Sequence, residues 1–244
     1  HLPTDGSVQL KPLTNDHTIL LLAGPKSRDV LAAAARGDWS PAAFPWLSVR
    51  EGTIGIARAM VMSVSFSGEL AYEIHVPNAQ LQAAYRALRA AGAAHDLRLF
   101  GSYAVESMRL EKGYRHWKAD LLTEFSPLES SLDPFVRLDK PDFIGKAALT
   151  RAGKPSQSFV SLALDCTHAP AHPGASIVAQ GRIVGTITSA AWGHRVGRNL
   201  AMGFVEPGFA AVGTALAVDV IGAPVPAEVI DACPFDPRNE RVRS

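Results

Sequence analysis

The sequence predicts an α+β chain: an antiparallel sheet with flanking helices, followed by a small all-β barrel or jelly roll. Three observations carry this. Residues 57–66 and 70–76 alternate apolar and polar side chains around Ser67-Gly68-Glu69, the pattern of two strands joined by a turn. Leu81, Ala84, Tyr85 and Leu88 recur at helical spacing behind Asn78, which predicts an amphipathic helix with an asparagine cap. Beyond Lys154-Pro155-Ser156, short apolar runs separated by Gly and Pro replace every helical signal.

The elements follow in order. Residues 17–23 (HTILLLA) form a continuous apolar run that reads as a buried strand, and Gly24-Pro25 then opens a helix to about residue 35. In the first alternating strand, Met60, Met62, Val64 and Phe66 share a face. In the second, Leu70, Tyr72, Ile74 and Val76 share one face, while Ala71, Glu73 and His75 share the other. A helix over residues 102–112 stops at Gly113. Strands are expected at 158–165, 176–179, 182–188, 200–205, 215–221 and 227–230. The domain boundaries that result are 1–153 for the sheet-and-helix part and 157–244 for the barrel.

Composition narrows the function classes. Of the 244 residues 47% are hydrophobic and 19% charged, ordinary for a globular chain. Twenty-four Lys and Arg balance 23 Asp and Glu, for a net charge of +1, so a broad basic face for nucleic acid is not expected. No apolar run approaches the roughly 18–20 residues of a membrane span, and no membrane association is expected. Cys166 and Cys233 stand far apart in no metal-type spacing and read as reduced thiols. His116, His168, His172 and His194 show no ligand spacing, and no metal site is expected. The G-x-S-x-G, P-loop and G-x-G-x-x-G signatures of serine hydrolases, NTPases and dinucleotide-binding domains do not occur. Residues 1–16 are polar and turn-rich, so the opening reads as the middle of a domain.

Glu73 stands out as a carboxylate in mid-strand. Its two acceptor oxygens match a flat heterocycle that offers a ring N–H beside an exocyclic amine, such as a pterin or guanine. A solvated glutamate on an open sheet face is the alternative. Phe66 stands as an aromatic before the turn, either a wall for a planar ligand or a core side chain. The stretch Arg109–Asp120 is dense in charge and aromatics. It reads as a solvated helix end, with Lys112 and Arg115 favourably placed near the helix dipole, or as a basic-aromatic patch.

Several ordered motifs resemble one family. Residues 65–77 (SFSGELAYEIHVP) look like the hairpin of the glycine-cleavage T-protein, or aminomethyltransferase, family. The segments SMRLEKGYRHW (107–117), SPLE (126–129), DFIGKAAL (142–149) and PFDPRNERV (234–242) are similar to the folate domains of sarcosine dehydrogenase and dimethylglycine dehydrogenase or oxidase. The resemblance implies a folate-binding domain with its first lobe missing and a C-terminal β-barrel lobe. It implies tetrahydrofolate as cofactor, with FAD confined to an N-terminal domain, and a small N-methylated amine as substrate. The oxidised N-methyl carbon would be trapped as 5,10-methylenetetrahydrofolate.

Carried over by position, Glu73 would hold the pterin N–H groups, with Ile74 and His75 beside it, and Phe66, Trp117 and Pro134 complete the folate-binding candidates. Three departures stand out: the family has tyrosine at Phe66, an aromatic at Pro134, and glycine after tryptophan where Trp117 is followed by Lys118. The catalytic aspartate is expected upstream of His1, so no catalytic residue is expected within the chain, and the chain alone is expected to be inactive. A homo-oligomer or contact with a flavin domain is expected, in the cytoplasm or the mitochondrial matrix. A stand-alone aminomethyltransferase or demethylase relative, or a non-catalytic folate-binding module, is the alternative reading.

Overall fold

The computed structural model describes residues 2–244. They divide into two compact units, one of residues 2–99 with 239–244 and one of residues 100–238.

The first unit contains β1 (His17–Ala23), α1 (Ser27–Ala34), β2 (Val49–Ile54), β3 (Ala57–Met62), β4 (Ala71–Pro77) and α2 (Leu81–Gly92). The four strands form one antiparallel sheet in the order β1-β4-β3-β2. Val30 and Leu31 of α1 and Ala84 and Leu88 of α2 join Leu22, Ala57, Val61, Tyr72, Ile74 and Val76 in a single core. Both helices therefore cover the same face of the sheet. The apolar run of β1 is not buried on both sides as its composition suggests. β1 is an edge strand, and Ile19 on the uncovered face is 52% exposed. An apolar run shows that neither face is polar; it does not show that both faces are covered.

Two further expectations change. β3 ends at Met62, so Val64 and Phe66 lie in a wide loop in which Ser65 Oγ accepts the Gly68 N–H at 3.0 Å. Asn78 does not cap α2. Its Oδ1 accepts the Thr18 hydroxyl at 2.6 Å and its Nδ2 donates to the Asn15 carbonyl at 2.8 Å, which fastens the start of β1. The segment 239–244 returns to this unit: Val242 is buried, and Arg28 donates to the Ser244 main-chain oxygen at 3.1 Å.

The second unit contains α3 (Ser102–Lys112), α4 (Lys146–Ala152), β5 (Ser158–Leu164), β6 (Ser176–Ala179), β7 (Arg182–Gly193), β8 (Arg198–Val205), β9 (Ala215–Val220) and β10 (Ala223–Ile230). Its six strands close into a barrel in the order β10-β5-β8-β7-β6-β9. Alternate side chains fill the interior, among them Leu162, Ile177, Ile187, Val205, Val218 and Val229. The outward Phe159, Leu200, Met202 and Phe204 pack with Leu110 of α3.

The β7–β8 hairpin runs longer than its apolar stretches, because Ser189-Ala190-Ala191-Trp192-Gly193 continues the ladder. β10 likewise begins early and includes Pro224 and Pro226. Those residues have ladder partners on β9, β5 joins β10 from Ala227 on, and beside it the Pro226 carbonyl accepts the Asp165 N–H at 2.8 Å, so a missing N–H is tolerated there. α3 ends as expected at Gly113, whose φ is +78°.

Candidate functional site

The open face of the sheet in the first unit carries Glu73. Period-2 alternation along β4 sends Tyr72 and Ile74 into the core, both 0% exposed, and sends Glu73 and His75 to the other side. The Tyr72 phenol is pushed up to about 12 by burial. The register supplies what alternation alone cannot. Glu73 lies opposite Leu21 of β1 and Met62 of β3, and His75 lies opposite Ile19 and Met60. A half-exposed carboxylate and an imidazole thus stand in a row between two apolar walls. His75 Nε2 is 3.4 Å from Glu73 Oε2, within ion-pair range but outside hydrogen-bond geometry.

Among the other candidates, Ile74 faces the core, so its side chain cannot meet a ligand on the open face. Phe66 sits half-buried in the loop after β3, and strand alternation does not place it on the Glu73 face. Trp117 and Pro134 belong to the second unit, where both are exposed, Trp117 to 66%.

The stretch Arg109–Asp120 is not a solvated helix end. Arg109, Glu111, Lys112 and Asp120 are buried, and each has ionic or charge-assisted partners. Asp120 Oδ2 accepts from Arg109 Nη1 at 2.6 Å and from the His116 N–H at 2.8 Å. Its Oδ1 accepts from the Thr188 and Ser189 hydroxyls at 2.5 and 2.7 Å. Glu106, Ser189 and the Tyr114 carbonyl take the remaining Arg109 donors. Glu111 accepts N–H bonds from Arg195 and Val196 and pairs with the Arg195 guanidinium. This network joins α3 to β7 and the β7–β8 turn. Glu106 and Asp120, the latter 11 residues from Arg109, lie in the local sequence, whereas Ser189 and Arg195 lie about 80 residues away.

Trp117 is followed by a strained residue. Lys118 takes φ +63°, the left-handed conformation that glycine adopts without penalty, and donates its N–H to the Leu121 carbonyl at 3.1 Å. Lys118→Gly is expected to raise stability by about 0.5–1 kcal/mol, measured as a higher urea midpoint at unchanged m-value.

Glu129 clamps the linker ahead of the barrel. It accepts the Ser126 N–H at 2.9 Å, the Ser156 N–H and hydroxyl at 3.0 and 2.7 Å, and the Gln157 N–H at 3.3 Å. These bonds, the Ser126 N–H foremost, lower its carboxyl from 4.5 to about 2. A depressed carboxylate pKa stabilises the fold above the ordinary value, and that stability is lost as pH falls toward the folded value. Glu129→Gln is therefore expected to destabilise by about 1–2 kcal/mol at neutral pH, allowing for solvent screening. Denaturation curves of variant and parent should converge as pH falls from 4.5 toward 2.

With this geometry in view, the relatives can be compared. The GCVT N-terminal domain model matches residues 1–140, and the glycine cleavage T-protein C-terminal barrel domain model matches residues 157–236. The chain belongs to the glycine cleavage T-protein, or aminomethyltransferase, family. Within this family the chain is 36% identical over 230 residues to an aminomethyltransferase of Saccharopolyspora erythraea, a match covering 93% of this chain and 62% of the relative. It is 34% identical over 245 residues to the mitochondrial sarcosine dehydrogenase of Mus musculus, covering 96% of this chain and 27% of that one. The crystal structure of the glycine cleavage system aminomethyltransferase T from Bartonella henselae has the same fold. Its TM-score is 0.79 at 23% identity, covering 90% of this chain and 60% of that chain. The chain thus spans about three-fifths of the aminomethyltransferase and about a quarter of the dehydrogenase. The family models divide the chain between residues 140 and 157, whereas packing divides it between 99 and 100.

Proposed function

We propose that this chain supplies part of a tetrahydrofolate site in an enzyme that transfers one-carbon units from N-methylated glycines such as sarcosine or dimethylglycine. The observation that carries the reading is Glu73, a half-exposed carboxylate between apolar walls on the uncovered face of the sheet. A pterin is flat and presents adjacent N–H donors on one edge. A carboxylate accepts such a pair side by side, while Leu21, Met60 and Met62 offer apolar surface to the ring. Tetrahydrofolate supplies the nitrogens that accept the carbon; the residues here bind and orient it. Trp117 and Pro134 of the second unit remain folate-binding candidates. The oxidation of the N-methyl group, and the FAD it calls for, are assigned to a separate flavin domain of a longer protein.

Titration of tetrahydrofolate into the 244-residue chain tests this. Weak saturable binding is expected, and Glu73→Gln should lower the affinity by about 1–3 kcal/mol, the effect of mismatching an acceptor with two ligand donors. Equal affinity in parent and variant would remove Glu73 from the site.

A further inference from the structure

We infer that His75 is a positioning residue for Glu73, setting the orientation and charge of the carboxylate that meets a ligand on the open face of the sheet. The two side chains stand two residues apart on the same face of β4, with His75 Nε2 3.4 Å from Glu73 Oε2. That nitrogen is buried and makes no hydrogen bond among the described residues, and the Glu73 carboxylate lies within ion-pair distance of it. The flanking positions are apolar: Ile19 and Leu21 on β1, Met60 and Met62 on β3. A carboxylate between such walls has little to hold its plane, and a small rotation brings an Nε2–H onto Oε2. One oxygen is then tied from the strand side, and the other, with the second lone pair of the first, points at the ligand.

The arrangement also makes the site sensitive to pH. Neutral His75 orients the carboxylate and leaves its charge available to ligand N–H groups. Protonated His75 neutralises part of that charge and competes with them, so ligand affinity is lower once the imidazole is protonated. The other ionisable side chains on this face are His17 on β1, Glu51 on β2 and Arg58 on β3. His17 and Arg58 lie two residues along from the partners of His75, and Glu51 lies one strand beyond Met60. None shares a register position with His75 itself.

The pH-dependent binding part rests on the folate reading of the same site, whereas the pairing does not, and two measurements on the full chain separate them. The first follows the imidazole Cε1–H resonance of His75 by NMR at one fixed pH. Replacing Glu73 by glutamine should move that resonance, and by more than it moves that of His17. An unchanged His75 resonance overturns the inference. The second titrates tetrahydrofolate at about pH 6 and about pH 8. Wild type should bind more tightly at the higher pH. His75→Ala should lose about threefold to tenfold in affinity there and show no pH dependence, and His75→Gln, which keeps an N–H donor, should recover affinity without the pH dependence. A His75→Ala variant with the wild-type affinity and pH profile overturns the inference. A moved His75 resonance without folate binding by the wild type supports the pairing and overturns the folate reading instead.

Discussion

Asp120→Ala is expected to destabilise the second unit by about 3–5 kcal/mol, the range for breaking a buried ion pair by removing one partner. Asp120 and Arg109 are 0% and 1% exposed at their side chains, and the carboxylate accepts four hydrogen bonds. Its loss leaves the buried Arg109 guanidinium to the part-exposed Glu106 carboxylate and removes the acceptor of the Ser189 hydroxyl, while the Thr188 hydroxyl keeps the Met202 carbonyl. The test is a double-mutant cycle in urea. Arg109→Met combined with Asp120→Leu should be markedly less destabilised than the sum of the single variants, because no lone charge remains buried. Simple additivity would show that the two groups are not coupled. The expectation concerns stability, since both side chains are out of reach of solvent.

Gly113→Ala should be the most damaging single-methyl change in α3, at about 2–5 kcal/mol from two sources. The residue has φ +78° and closes the helix, with its own N–H bonded to the Leu110 carbonyl at 3.1 Å and the Tyr114 N–H to the Arg109 carbonyl at 2.9 Å. An added Cβ would lie 2.0 Å from the main-chain oxygen of Ala232, an atom that cannot rotate away. Thermal unfolding should show a lower midpoint than for Gly101→Ala, where a Cβ meets nothing within 4 Å. Equal midpoints would mean that the Ala232 segment yields freely.

Much of the fold was legible because local chemistry repeats at the scale on which periodicity is read. The two faces of β4, the extent of α3 with its glycine stop, and the succession of barrel strands all follow from alternation, helical spacing and turn residues. β2 escaped notice because its sequence, VREGTI, is polar and broken by Gly52. It is a strand because its full length pairs with β3 and Ile54 reaches the core. Phe66 was misplaced for the opposite reason: the alternating pattern runs past the last ladder bond at Met62.

The candidate site was partly legible in the same way. Glu73 and His75 share a face by arithmetic alone. That Leu21, Met60 and Met62 wall them in depends on which strands pair and in what register. The Ser189 and Arg195 partners of Arg109 and Glu111 were beyond reach, since charge-dense sequence at a helix end reads as solvated until the β7–β8 hairpin is known to lie against it.

The sequence by itself determined the family, through motifs in order, and the side of β4 on which Glu73 stands, because side chains alternate whatever the strand packs against. Only the tertiary structure decided that this side is the open one, since both helices put their apolar stripes on the other face. Gly113 shows the same division. Its place after an apolar-periodic segment marks a helix stop, a local matter of backbone dihedrals, whereas the ban on any Cβ comes from a carbonyl more than a hundred residues away.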